Sequence, residues 1–338
     1  MIVFGCLLLQ TIPFSMAQNI PPLFVHYLHI DFHFNLESIG FIFTIGAAAS
    51  SISSPFIGKL FDKMSTKILM IIGMVISCLG LFLNSVASNL EMYLLNAAII
   101  QIGCIMYSGL GIPYLIGTWF DAKHKASALG VAFAGGSIGN FFPQPIFTHL
   151  LEKYAVNSIK GLHTVYFIAA ISAFVIGILI LVFLIHDKKK AQKTVRSATS
   201  NRVVTKMTGI SAKEVRKLPD FWILFAGMFF IGLNVAAQSA QYANYFEDLK
   251  MTTAIVGIIG SSFALACLVG NISGGVLFSK IGIFKSSFIA LIFQALSCTM
   301  MIILYFAQWN FMGLFLWLNG IYLYFRSGND YSRFIWNA

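Results

Sequence analysis

Charge is scarce in this sequence. Of its 338 residues, only 10% are Asp, Glu, Lys or Arg, whereas 58% are hydrophobic. A soluble domain usually carries about 25% charged residues. With so little charge the chain cannot cover a water-facing surface, and we therefore expect it to be solvated by lipid.

Acidic residues and cysteines are also few. The twelve acids fall in loops or at the ends of predicted helices, and the five cysteines form no C-x-x-C pair or metal-ligand spacing. The sequence contains no serine–histidine pairing and no H-E-x-x-H motif. We therefore expect no enzymatic activity, no metal site and no cofactor.

What the sequence does contain is apolar runs of the length that crosses a bilayer, which is about 20 residues. Continuous runs favour helices over the short alternating strands of a membrane barrel. We predict an all-α polytopic membrane protein with ten such segments: Ile2–Leu28, Ile39–Leu60, Ile68–Val86, Met92–Trp119, Ser127–Leu151, Val165–Ile185, Phe221–Tyr245, Ile255–Phe278, Ser286–Phe306 and Phe311–Phe325.

The basic residues are distributed unevenly between the loops. A net charge of +10 could indicate nucleic-acid binding. If the N-terminus is cytoplasmic, however, the inner loops hold 17 Lys and Arg residues and the outer loops hold 3. Such a bias fixes orientation during membrane insertion. We expect a multi-pass protein of the cell membrane with a cytoplasmic N-terminus and central loop, and no nucleic-acid partner.

One long polar stretch organises the chain into three parts. Residues 1–186 form a predicted six-helix half, residues 187–220 a basic cytoplasmic linker, and residues 221–338 a second half with room for about four helices. We therefore expect about ten of twelve helices to be present, with the second half incomplete.

An internal repeat relates the two halves. Ser38–Lys63 aligns without gaps to Ile255–Lys280, so that Gly58 matches Gly275 and Lys63 matches Lys280. Glycines and a terminal lysine rarely stay in register by chance. The repeat indicates two halves of the same orientation, a known plan for membrane transporters.

The loop after the second apolar segment, GKLFDKMSTK, resembles the signature loop G-x-L-x-D-R-x-G-R-K of the major facilitator superfamily, with Ser65 in place of the second glycine. In its copy after the eighth segment, Ser279 replaces the acid. The resemblance implies a facilitator-type helix bundle. In that family the acid of this loop holds the inward gate shut against the eleventh helix, for which this sequence has no counterpart. The implied gating residues are Gly58, Asp62, Lys63, Lys67, Gly275 and Lys280.

A second passage of the sequence resembles one particular branch of this superfamily. Trp119-Phe120, followed by Lys123, Lys125 and Gly130, is similar to a passage of the monocarboxylate and oxalate–formate antiporter-like branch. This implies a symporter or antiporter that moves a small organic anion, such as a monocarboxylate or dicarboxylate, by alternating access with H⁺ or a counter-substrate. The sequence departs from that branch in residues 263–271, which carry no charge where a basic residue is common.

Polar residues within the apolar segments are the candidates for a binding site. Transporter sites lie near the bilayer midplane, at helices with breaks or unusual polarity. The first and seventh segments carry amide clusters, and the fourth adds Gln101, Tyr107 and Tyr114. For any single amide an interhelical hydrogen bond is the alternative interpretation. We predict substrate contacts from Gln18, Asn19, Tyr114, Asn140, Asn234, Gln238, Gln241, Trp317 and Asn319.

Other functions remain open at this point. The chain could be a channel, a non-transporting or damaged membrane fragment, or a facilitator for a neutral or drug-like solute. Saturable flux distinguishes a carrier from a pore. We expect a monomer whose partners are a small-molecule substrate and the lipid bilayer.

Overall fold

The computed structural model describes residues 1–155, 158–187 and 253–307, together with scattered positions from 217 to 232. Helices joined by short turns make up these ranges, which contain no strand. The chain divides into two compact units, Met1–Asp187 and Lys188–Ala338. The all-α fold predicted from the apolar runs is confirmed, whereas the division into half, linker and half stays a prediction.

The first unit contains six helical segments, which we label in chain order. They are α1 (Ile2–Asp31), α2 (Leu36–Lys63), α3 (Thr66–Asn84), α4 (Leu90–Trp119), α5 (Ala122–Phe141, continued by Pro143–Tyr154) and α6 (Ile159–Phe183). The second unit contains the helices Thr253–Ile281 and Ile283–Ala307. The predicted segment Phe221–Tyr245 falls mostly outside the described residues, and Phe311–Phe325 falls wholly outside them.

Six helices in the described part of the chain are long and apolar enough to cross a membrane. They are α1, α2, α3, α4, α6 and the stretch Ala264–Ile281. Several large apolar side chains on these helices are exposed, among them Ile52, Phe56 and Phe183. An outer surface of this composition is stable only in contact with lipid, since water would penalise each exposed apolar group.

Polar side chains cap the N-termini of three helices. Ser65 accepts a hydrogen bond from the N–H of Ile68 at 3.4 Å, and Asn89 accepts one from the N–H of Met92 at 2.9 Å. Ser158 does the same for the N–H of Gly161 at 3.1 Å. Each side chain satisfies a helix-end donor that would otherwise lack a partner. These caps explain why α3, α4 and α6 begin where they do.

Close packing between helices holds the first unit together. α3 packs against α4 and α6, α2 packs against α4, and α1 packs against α5. At the α3–α4 crossing, a Cβ added to Gly80 would lie 2.6 Å from Ile100 Cγ1 and 3.0 Å from the Ile100 nitrogen. Only glycine allows the two backbones to approach this closely, as is usual for small residues between membrane helices.

Both copies of the internal repeat are helices that end at equivalent places. Lys63 is the last residue of α2, and Lys280 is the last residue but one of the helix Thr253–Ile281. The sequence alignment therefore pairs two helices of nearly the same length.

Candidate substrate site and gating loop

Helix α1 is irregular at two places. Residues Gln10–Phe14 form a π-helical turn that contains Pro13. The helical hydrogen-bonding pattern is then interrupted at Asn19 and Ile20, just before Pro21 opens the next helical segment. Proline lacks an N–H and widens or interrupts the hydrogen-bond ladder at both places. The polar stretch identified in the sequence thus lies on an interrupted helix, a feature that is typical of transporter sites.

Gln18, at the end of the second regular stretch of α1, forms a reciprocal pair with Gln101 of α4. Gln18 Nε2 donates to Gln101 Oε1 at 2.9 Å, and Gln101 Nε2 donates to Gln18 Oε1 at 2.8 Å. Both side chains are half-buried. The pair joins two helices that are 83 residues apart in sequence.

Asn19 points instead toward α5. Its Nδ2 donates to the carbonyl of Gly136 at 3.1 Å and lies 3.1 Å from the hydroxyl of Ser15. The consecutive amides Gln18 and Asn19 therefore form hydrogen bonds from the break in α1 to two different helices, α4 and α5. Asn140, also predicted to contact substrate, is half-buried further along α5.

Helix α4 is itself irregular near this pair. Residues Ile105–Gly109 form a second π-helical turn, which begins four residues after Gln101. The Tyr107 ring inside this turn is fully buried. Single π-turns inside α-helices occur frequently at functional sites. Both helices that carry the glutamine pair thus contain one.

Tyr114 lies away from these amides, at the end of α2. Its hydroxyl donates to the carbonyl of Gly58 at 3.4 Å and lies within hydrogen-bonding reach of Asp62. The Tyr114 ring stacks on Phe61, with centroids 4.8 Å apart. The structure therefore groups Tyr114, predicted as a substrate contact, with the implied gating residues.

The rest of the gating loop is tied to the end of α6. Asp187 accepts hydrogen bonds from the Ser65 hydroxyl and from the backbone N–H of Lys67, the latter at 3.1 Å. The Lys67 ammonium donates to the carbonyl of Val182 at 2.9 Å. Asp62 and Lys63 are exposed. Among the implied gating residues of this loop, Lys67 therefore forms a hydrogen bond to α6 of the same unit.

The remaining predicted residues fall into two groups. Gly275 and Lys280 lie near the end of the helix Thr253–Ile281, where the Ser279 hydroxyl donates to the Gly275 carbonyl at 2.8 Å. Five predicted substrate contacts lie outside the described residues: Asn234, Gln238, Gln241, Trp317 and Asn319.

Sequence reasoning missed Ser65 and Asp187 as partners of the gating loop. Ser65 precedes the apolar run of α3, and a serine at that place is a usual helix-start signal. Asp187 gave no such signal, because it lies 122 residues from Ser65.

An apolar bundle of helices long enough to cross a membrane defines a polytopic membrane protein, and an interrupted, amide-bearing helix is typical of transporters. A family model described as "Major Facilitator Superfamily" matches residues 6–329. The chain belongs to this superfamily.

Relatives and solved structures agree with this assignment. An MFS-type transporter of Gibberella moniliformis is 24% identical over 75% of this chain and 57% of its own length. Monocarboxylate transporter 12-B of Danio rerio is 22% identical over 82% of this chain and 61% of its own. The chain thus spans about three fifths of the length of these relatives. The transporter FucP in its outward conformation superposes with a TM-score of 0.65 at 17% identity, over 96% of this chain and 80% of that one.

Proposed function

We propose that this protein is a secondary transporter that moves a small polar solute across the cell membrane by alternating access. The observation that carries the proposal is the pair of consecutive amides at the break in α1. Gln18 bonds to α4 and Asn19 to α5, within a chain of the facilitator superfamily. Amides both donate and accept hydrogen bonds, so an opened pair can bind a solute without a buried charge.

A small organic anion is the first substrate class that we propose. Support comes from the Trp119–Gly130 passage and from relatives whose names include monocarboxylate and sialic acid transporters. A neutral or drug-like solute is the second class, because other relatives are named a riboflavin transporter and a multidrug resistance protein.

The proposal also includes the ion or solute that is coupled to transport and the orientation of the chain in the membrane. We infer H⁺ or a counter-substrate as the coupling partner; one solved structure of this fold is named a fucose:proton symporter. The excess of basic residues in alternate loops supports a cytoplasmic N-terminus and central loop. We propose that the transporting unit is a monomer.

Transport by purified protein in proteoliposomes tests the function. A panel of labelled monocarboxylates, dicarboxylates, sialic acid and riboflavin covers both substrate classes. A carrier gives uptake that saturates and is accelerated by unlabelled solute trapped on the opposite side. Flux that rises linearly with concentration and is not accelerated in this way contradicts the proposal and favours a channel. Absence of flux across the panel favours a non-transporting membrane protein.

A further inference from the structure

Helices α3 and α6 of the first unit expose large apolar side chains over most of their length. On α3 the exposed residues are Ile68, Ile72, Val75, Leu79 and Phe82. On α6, from Val165 to the end of the helix, they are Phe167, Ile171, Phe174, Val175, Leu179, Val182 and Phe183. These two helices are also the most apolar of the membrane-length helices in this unit.

This composition indicates contact with lipid rather than with another helix. Contacts between membrane helices are rich in small residues, because these allow the backbones to approach closely. Helix α2 exposes residues of that kind, among them Ala47, Ala48 and Ser51. The exposed positions of α3, and those of α6 after Val165, are all bulky instead. The face that α3 and α6 share is therefore suited to acyl chains.

A groove with a volume of about 250 Å³ lies between α3 and α6 on this face. Its floor is formed by two small side chains, Cys78 and Ala170, which are 5% and 3% exposed. Its walls are the larger and more exposed side chains of Val75, Leu79, Phe82, Ile171 and Phe174. The groove is thus an almost wholly apolar hollow that opens on the surface of the unit.

The position of the groove along the helices corresponds to the hydrocarbon layer. The end of α3 lies beside the start of α6, where a ring nitrogen of His163 is 2.9 Å from the Ala87 carbonyl oxygen. Phe82 and Val75 precede the last residue of α3, Asn84, by two and nine residues. At about 1.5 Å per residue the groove spans roughly 3–14 Å from that end. The hydrocarbon core of a bilayer is about 30 Å thick, so acyl chains surround the groove at this depth.

We propose that this groove binds one acyl chain of a membrane phospholipid. An apolar cavity of about 150 Å³ is large enough to hold benzene, so the groove has room for a longer segment of hydrocarbon. A chain in the groove contacts the floor and both walls, whereas a chain on a convex surface contacts one side only. Each wall atom would lose dispersion contacts if the groove were empty.

The bound chain packs against α3 and α6 together and fills the space between them on the lipid side. It therefore stays longer in the groove than on the rest of the lipid-facing surface. This lipid site lies inside one unit and does not depend on which solute is carried.

Photo-crosslinking of the full chain in phosphatidylcholine vesicles tests the proposal. A small fraction of the phosphatidylcholine carries a diazirine in the middle of one acyl chain, and mass spectrometry measures the yield at each residue. Leu79 in the groove and Leu179 outside it are a matched pair, because they are 51% and 49% exposed. They lie five and four residues before the ends of α3 and α6, and so at similar depths in opposite leaflets.

With an acyl chain bound in the groove, Leu79 gives about fivefold more crosslinked product than Leu179, as expected for a modest gain in packing. Equal yields would show that the groove is ordinary lipid-facing surface and would overturn the proposal. A lower yield at Leu79 would also overturn it, because another part of the chain or a second copy would then cover the groove.

A filling variant makes the test specific. Ala170→Leu places a larger side chain on the floor of the groove, and Val182→Leu is the control, because Val182 lies on the same helix and does not line the groove. The excess yield at Leu79 disappears in Ala170→Leu and persists in Val182→Leu. An unchanged excess in a folded Ala170→Leu protein contradicts the bound chain.

If Ala170→Leu does not fold, Phe174→Ala decides the question. Phe174 is 43% exposed, so its truncation removes part of one wall without overpacking the interior. Phe183→Ala is the matched control, since Phe183 is exposed on the same helix outside the groove. The excess yield at Leu79 falls in Phe174→Ala only. Equal excess in the two variants refutes the proposal.

Discussion

Asp187 and Lys67 stabilise the facing ends of two helices reciprocally. Asp187, just after α6, accepts the backbone N–H of Lys67 at the start of α3, while the Lys67 ammonium donates to a carbonyl in the last turn of α6. A helix N-terminus favours negative charge and a C-terminus favours positive charge. Each residue therefore stabilises the helix end opposite its own.

This reciprocal arrangement predicts a stability effect of Asp187. Asp187→Ala removes two hydrogen bonds at the N-terminus of α3 and lowers the free energy of unfolding by about 1 kcal/mol. Thermal unfolding in detergent measures the change. Asp121→Ala is the matched control, because Asp121 also precedes a helix but makes no capping hydrogen bond from its side chain. A loss in the control as large as that in Asp187→Ala would contradict the capping role.

Two adjacent glycines of α5 are predicted to respond in opposite ways to alanine. A Cβ on Gly135 would collide with the Leu7 carbonyl oxygen and lie 2.9 Å from Gln10 Cβ, whereas a Cβ on Gly136 would lie 3.8 Å from the Phe14 ring. Gly135→Ala therefore costs about 1–3 kcal/mol through overpacking against α1. Gly136→Ala is neutral or stabilising by up to about 1 kcal/mol, because alanine favours helix. Unfolding temperatures of the two variants check the contrast, and equal losses would refute the close α1–α5 contact.

The Gln18–Gln101 pair is predicted to be energetically coupled. A double-mutant cycle with Gln18→Ala and Gln101→Ala gives a coupling of about 0.6–1.7 kcal/mol in unfolding free energy, the range seen for hydrogen bonds between membrane helices. A parallel control cycle pairs Gln18→Ala with Gln144→Ala and should show no coupling, since Gln144 lies in the second part of α5 and the side chain of Gln18 bonds to Gln101 instead. Strictly additive effects in the first cycle would show that the pair contributes nothing.

Much of the fold was predictable from the sequence because membrane-spanning helices are recognisable by length and composition. The second segment, predicted at Ile39–Leu60, is the helix Leu36–Lys63, and the eighth, predicted at Ile255–Phe278, is Thr253–Ile281. The differences lie in the first and last turns, where polar residues extend the helix beyond the apolar run.

The pairing of side chains between helices was not predictable. The polar pattern identified Gln18 and Gln101 separately, but only the packing of α1 on α4 shows that they satisfy each other. Tyr114 was assigned to the substrate because it lies on α4, yet it contacts the end of α2. A single sequence indicates where a residue lies along its helix, but it does not indicate which residue of a neighbouring helix its side chain contacts.

The proposed transport mechanism depends most on the duplicated arrangement, in which the gating loop and its copy lie on the same side of the membrane. Side-specific cysteine labelling tests it directly. Lys63→Cys and Lys280→Cys are introduced separately into a chain whose five native cysteines are replaced. Lys160→Cys, at an exposed position predicted outside, is the control. In intact cells an impermeant maleimide should label only position 160, and after permeabilisation it should label all three. Labelling of positions 63 and 280 from opposite sides would contradict the arrangement.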